Sequence, residues 1–163
     1  MLLLLQLNLR INLLDLILVR HAQAEISYPD EKRNLTQSGT VSFQKNCRTL
    51  KNEIGNIDLI LSSPLTRAVQ TGDILSNEFE LKDHFYIEKE LSPGCNSESV
   101  KNLIDIYDVN KLACVFHMPD ISYNFYKFCP TNKEINFNPG SIAVISFDEK
   151  AIPGKGKLKL YIP

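Results

Sequence analysis

A three-layer α/β/α sandwich around a mainly parallel sheet, closed by a C-terminal antiparallel hairpin, is the fold this 163-residue sequence predicts. Three observations predict it. The runs Leu14–Val19, Ile57–Leu61 and Leu112–Phe116 are apolar at odd and even positions alike, as strands covered on both faces must be. A stretch with helical spacing follows each of them. The tail instead carries two strand-like runs, Ser141–Phe147 and Lys157–Ile162, joined by a loop with Pro and Gly. The length fits a single domain over residues 1–163, since domains commonly run about 100–200 residues.

Each element has its own local justification. Leu5, Leu7, Leu9, Ile11 and Leu13 alternate with Gln6, Asn8, Arg10 and Asn12, so residues 1–13 form an N-terminal extension that is either an extra half-buried strand or a leader. Polar residues interrupt the run well before the about 20 apolar positions of a membrane span. No basic segment precedes the leucines, so a signal peptide is not expected. Leu14–Val19 leads into Arg20-His21, and Ser27–Asn34 reads as a loop. Thr36 is placed to cap a helix bearing Phe43, Cys47, Leu50 and Ile54 on one face, with Gly55 as its stop. After Ile57–Leu61, Ser62-Ser63-Pro64 predicts a cap with Pro at the first helical position and a helix to about Leu75. A short strand at Tyr86–Ile87, a turn at Ser92-Pro93-Gly94 and a helix from Ser97 follow. Leu112–Phe116 then delivers His117, and Pro119-Asp120 open a helix whose Phe125 and Phe128 are expected in the core.

Composition excludes several classes of function. Lys and Arg total 18 against 19 Asp and Glu, a formal charge of -1, which leaves no broad electrostatic footprint for nucleic acid or an anionic membrane. Cys47, Cys95, Cys114 and Cys129 contain no C-x-x-C pair, so free thiols in a reducing, cytoplasmic setting are expected. No metal motif is present.

The candidate chemistry lies at strand ends. Of the three histidines, His21 and His117 end predicted buried strands while His84 does not. In open α/β sheets, ligands bind at the carboxyl ends of strands. Arg20 precedes His21, and Arg67 falls in the first turn of a helix, the end where the dipole disfavours a cation. A bound anion would justify that placement, because guanidiniums and helix N-terminal amides both suit phosphate oxygens. A neutral imidazole there can attack phosphorus, dividing one displacement into two. Arg20, Arg67 and a protonated His117 could stabilise the transferred group without metal.

These segments resemble the histidine phosphatase superfamily, the phosphoglycerate mutase-like fold. The motifs are Leu18-Val19-Arg20-His21-Ala22, Ser63-Pro64-Leu65-Thr66-Arg67-Ala68-Val69-Gln70-Thr71 and Val115-Phe116-His117-Met118-Pro119. Within it the chain is similar to the small SixA-type phosphohistidine phosphatases through Arg33-Asn34-Leu35-Thr36-Gln37-Ser38-Gly39, Glu90-Leu91-Ser92-Pro93-Gly94 and Pro139-Gly140-Ser141-Ile142-Ala143. The resemblance implies His21 as nucleophile, Arg20 and Arg67 as phosphate clamps, and His117 as electrostatic stabiliser. It implies no cofactor. Its departures are Ala22, where glycine is frequent, and Phe116, whose bulk before the second histidine could narrow the pocket or tilt His117.

Glu90 is the candidate proton donor by resemblance. Asp120, close to His117, is an alternative acid or a helix cap. Arg33 either extends the positive rim or is a surface arginine, and Tyr123 and Tyr126 flank the expected core aromatics. The resemblance implies a monomeric phosphatase acting on phosphohistidine of a histidine-phosphotransfer or phosphocarrier protein. The alternatives are a small-molecule phosphomonoesterase and a non-catalytic phosphoprotein-binding module.

Overall fold

The computed structural model describes residues 13–163. The alternation that predicts an extra strand falls on residues 1–12, outside the described residues, and Leu13 is exposed and belongs to no strand.

One six-stranded sheet organises the chain. Its strands are β1 (Leu14–Arg20), β2 (Leu59–Ser62), β3 (Phe85–Ile87), β4 (Lys111–Phe116), β5 (Ile142–Phe147) and β6 (Lys157–Ile162), in the spatial order β3-β2-β4-β1-β5-β6. β1 pairs parallel with β4, and β2 pairs parallel with both β4 and β3. β5 runs antiparallel to β1 and to the edge strand β6, which gives the expected hairpin.

Alternate side chains along β1 enter two separate cores, which explains its continuous apolar sequence. Leu14, Leu16 and Leu18 join one core with α3 (Ser97–Tyr107) and α4 (Asp120–Phe128). Ile17 and Val19 join the other with α1 (Gln37–Ile54) and α2 (Thr66–Phe79). Phe125 and Phe128 are fully buried, as their spacing predicts, while Tyr123 and Tyr126 of the same helix are exposed.

Local signals hold at most boundaries. The Thr36 hydroxyl accepts from Gly39 N and caps α1, and Gly55 ends it at a φ of 78°. Gly94 also takes a positive φ in the predicted Ser92-Pro93-Gly94 turn, and Gly140 takes one just before β5. α2 departs from expectation. It starts at Thr66 rather than Pro64 and runs beyond Leu75 to Phe79, and its N-cap residue Leu65 supplies no side-chain bond. The Ser63 hydroxyl instead lies 2.7 Å from Nε2 of His117.

Candidate active site

The strand order β2-β4-β1 sets the ends of three parallel strands side by side, although their residues are far apart in the chain. Backbone bonds continue the ladder beyond the strands: His21 N donates to Phe116 O at 3.0 Å, and Ser63 N to Val115 O at 3.3 Å. His117 follows the central strand of the three and so lies between Ser63 and His21. The His21 and His117 rings are 5.1 Å apart, centroid to centroid, at 50°.

His21 has a defined orientation. Its Nδ1 lies 2.8 Å from the Ala22 carbonyl, an acceptor, so this nitrogen carries the proton in the neutral ring. Nε2 is then the lone-pair nitrogen, and Arg67 Nε donates to it at 3.3 Å. Burial, and secondarily the charges of Arg67, Arg20 and Arg33, lower the His21 pKa to about 4 against the opposing Ala22 bond. The ring is therefore uncharged at neutral pH, with the Nε2 lone pair available as a nucleophile would need it.

Arg67 is only 6% exposed despite its place in the first turn of α2. Its Nη1 donates to the Asp30 carbonyl at 2.8 Å, and its Nη2 to Oδ2 of Asp30 at 3.1 Å. The same helix face holds the loop after β1. Gln70 accepts from Leu35 N and donates to Asn34, while the Thr71 hydroxyl accepts from Ala22 N at 3.0 Å. Arg67, Gln70 and Thr71 are helical neighbours at i, i+3 and i+4, so one turn of α2 fixes both the Arg67 side chain and the backbone beside His21.

Arg20 Nη1 donates to the Phe137 carbonyl at 2.6 Å, and its Nε is buried without a protein partner. Burial lowers its pKa. His117 is 3% exposed, and its Nδ1 is likewise without a partner. Burial first, then His21 and Arg67, push the His117 pKa down to about 3. The protonated His117 expected from sequence is thus not the resting form of the site. An anion close by is what would favour its charging.

Both sequence departures fit without distortion. Ala22 is buried and is not among the non-glycine residues with positive φ, so an alanine methyl suits its backbone. Phe116 points into the core that holds Ile121 and Phe125, and does not narrow the site. Glu90 is exposed on the 3-10 turn Lys89–Leu91, and among the described residues no hydrogen bond joins it to Arg20, His21, Arg67 or His117. Asp120 is buried and does not cap α4, whose N-cap is Pro119; its Oδ2 accepts from Gly94 N at 2.9 Å and pins the Ser92–Gly94 turn. His84 is exposed on the turn before β3. Among the described residues, no group of three or more His, Cys, Asp and Glu side chains is arranged to hold a metal ion.

Asp30 is the site residue that the sequence reading passed over. It stood in a loop without a periodic signal, and only its spacing of three from Arg33 hinted at an ion pair.

Comparisons with known proteins bear on the fold and the family. The family model for the histidine phosphatase superfamily (branch 1) matches residues 16–92, which include Arg20, His21 and Arg67. The chain is 26% identical over 146 residues to a protein described as a phosphohistidine phosphatase SixA homolog from Haemophilus influenzae, covering 83% of this chain and 89% of that protein. It is 26% identical over 141 residues to phosphohistidine phosphatase SixA of Escherichia coli, covering 83% and 87%. Among solved structures, the protein histidine phosphatase SixA complexed with tungstate superposes with a TM-score of 0.81 at 23% identity, covering 91% of this chain and 96% of that one. The phosphoserine phosphatase of Entamoeba histolytica, in complex with 3-phosphoglyceric acid, shares the fold with a TM-score of 0.65 at 16% identity, covering 91% and 96%. His117 lies beyond the span of the family match, and the sheet alone brings it to the other three residues. Sequence similarity over 83% of the chain and fold similarity over 91% of it converge on the histidine phosphatase superfamily, whose family model this chain matches over residues 16–92.

Proposed function

We propose that this protein is a phosphohistidine phosphatase that removes the phosphoryl group from a histidine of a phosphotransfer or phosphocarrier protein. The observation that carries the reading is the neutral His21 ring, with Nδ1 committed to the Ala22 carbonyl and Nε2 presented beside the Arg67 guanidinium. The names of the bacterial relatives support the substrate class.

The chemistry divides into two displacements. The Nε2 lone pair of His21 attacks phosphorus as the P–N bond of the substrate breaks, and the substrate imidazole leaves with its own ring proton. Because an unperturbed imidazole has a pKa near ~6.5, this step places little demand on an acid from the enzyme. His21 keeps its Nδ1 proton on Ala22 O, so the phosphorylated ring is cationic and is itself a good leaving group. Water then attacks phosphorus, the P–Nε2 bond breaks, and dihydrogen phosphate departs from a neutral His21. Arg20 and Arg67 neutralise the oxygens of the transferred group, and His117, charged by the proximity of the anion, adds a further donor. Glu90, exposed on the Lys89–Leu91 turn, is left for a substrate whose leaving group needs a proton.

A reducing, cytoplasmic setting belongs to this proposal and is supported by four free, buried cysteines. Among the described residues, no helix is long and apolar enough to cross a membrane.

The test is phosphate release from a phosphohistidine protein with and without chelator. Wild type should turn over in both conditions and trap radiolabelled phosphate on itself under alkaline quench. His21→Ala should lose both signals, with a rate lower by at least about 10³-fold, the scale of losing a covalent nucleophile. Undiminished turnover in that variant would remove His21 from the chemistry.

A further inference from the structure

We infer that Asp30 is a positioning residue of the phosphate clamp: its backbone carbonyl and carboxylate together hold the Arg67 guanidinium so that Nε stays aimed at Nε2 of His21. This rests on the proposed reading of His21 and Arg67 as the phosphoryl-transfer pair.

The hydrogen bonds divide the guanidinium into two working edges. Both terminal nitrogens of Arg67 are held by one residue, Nη1 by Asp30 O at 2.8 Å and Nη2 by Asp30 Oδ2 at 3.1 Å. Two bonds to one residue fix the plane of the group, which a single bond would leave free to turn. Nε, the remaining nitrogen, then meets His21 Nε2 at 3.3 Å. The Asp30 side chain is 60% exposed, so packing alone does not hold it. Arg33 does. Arg33 Nη1 donates to the other carboxylate oxygen at 3.1 Å, and Arg33 Nε is anchored on the Glu25 carbonyl at 2.5 Å across the base of the same loop. The bond from Arg33 is the leading cause that lowers the Asp30 pKa and keeps the carboxylate charged.

The loop itself is attached to the helix that bears Arg67. An antiparallel bridge between Ala24 and Leu35 closes its base, and Gln70 bonds both Leu35 and Asn34. Asp30 is thus carried on a frame registered to α2, one turn from Arg67. A continuous series of contacts runs from Glu25 O through Arg33, Asp30 and Arg67 to the nucleophile. Arg33 has a place in it that is neither a plain surface arginine nor a direct phosphate ligand: it acts through Asp30.

The experiment is a double-mutant cycle on phosphate release from a phosphohistidine protein. Asp30→Ala should lower kcat by roughly 10- to 100-fold, the cost of misplacing a catalytic group by about 1 Å. In an Arg67→Lys background, which lacks the fork that Asp30 holds, the same change should lower kcat by less than about 2-fold, because the partner through which it acts is gone. Equal losses in both backgrounds would overturn the inference, since Asp30 would then act without Arg67 or merely hold the loop. An undiminished kcat in Asp30→Ala would overturn it as well. A second readout needs no substrate: the Nε–H resonance of Arg67 in ¹⁵N spectra should be slow to exchange in wild type and fast in Asp30→Ala, and an unchanged resonance refutes the positioning role. If wild type releases no phosphate from phosphohistidine, the proposed function fails, while this second measurement still decides the role of Asp30.

Discussion

At the scale of single residues, the site depends on two imidazoles kept uncharged by the fold. His21 is lowered to about 4 and His117 to about 3, in each case chiefly by burial. Their ¹⁵N and ¹³C resonances should therefore not titrate between pH 8 and about 5, and a midpoint near 6.5 for either ring would contradict the burial that the structure gives it. Protein stability carries the same signature. In the unfolded chain both rings bind protons below about pH 6.5, whereas in the folded chain they do not, so their contribution is complete above that pH. It declines as pH falls from about 6.5 toward 4 for His21 and toward 3 for His117. Urea unfolding from pH 7 to pH 4 should show a shallower loss of stability in His117→Gln than in wild type, and parallel curves would refute the assignment.

Elements set those residues in place by giving up some of their own regularity. α2 starts at Thr66 without a side-chain cap, the Ser63 hydroxyl ahead of it meets both Leu65 N and His117, and its first turn buries an arginine that the helix dipole opposes. The face bearing Arg67, Gln70 and Thr71 compensates through bonds to the loop after β1. The start of α1 is regular, with a capping threonine, and also holds the loop after β1 at Gln23. Thr36→Ala removes the bond to Gly39 N and should cost about 1 kcal/mol. Gly39→Ala should cost about 1–3 kcal/mol through overpacking, since a Cβ there would stand 2.4 Å from the Gln23 carbonyl, which is backbone and cannot rotate aside. Urea denaturation of both variants checks the order, and a Gly39→Ala protein as stable as wild type would show that the loop after β1 can shift.

Across the whole molecule, the sheet separates two cores, and the four free cysteines sample both. Cys47 lies in the core under α1 and α2, while Cys95, Cys114 and Cys129 lie in the one under α3 and α4. Burial raises the pKa of all four thiols, that of Cys95 to about 12. A disulfide reagent should therefore label none of them rapidly in the native protein, and labelling in urea should follow the global unfolding transition as one phase. Fast modification of any one thiol under native conditions would show that its core opens independently.

The sequence by itself determined the alternation of strands and helices, the two-faced burial of β1 and β4, the terminal hairpin, and the residues Arg20, His21, Arg67 and His117 as candidates. Those features are written in local periodicity and short motifs, which act over a few residues and need no knowledge of the remaining chain. Only the tertiary structure decided the order β3-β2-β4-β1-β5-β6, the bond between Ser63 and His117, the turn-pinning task of Asp120, and the grip of Asp30 on Arg67. Each of these joins groups remote in sequence, and such a contact is fixed by which strands become neighbours. A loop aspartate has no periodic pattern to reveal its partner, so its role becomes visible only when packing brings an arginine 37 positions away within hydrogen-bond reach.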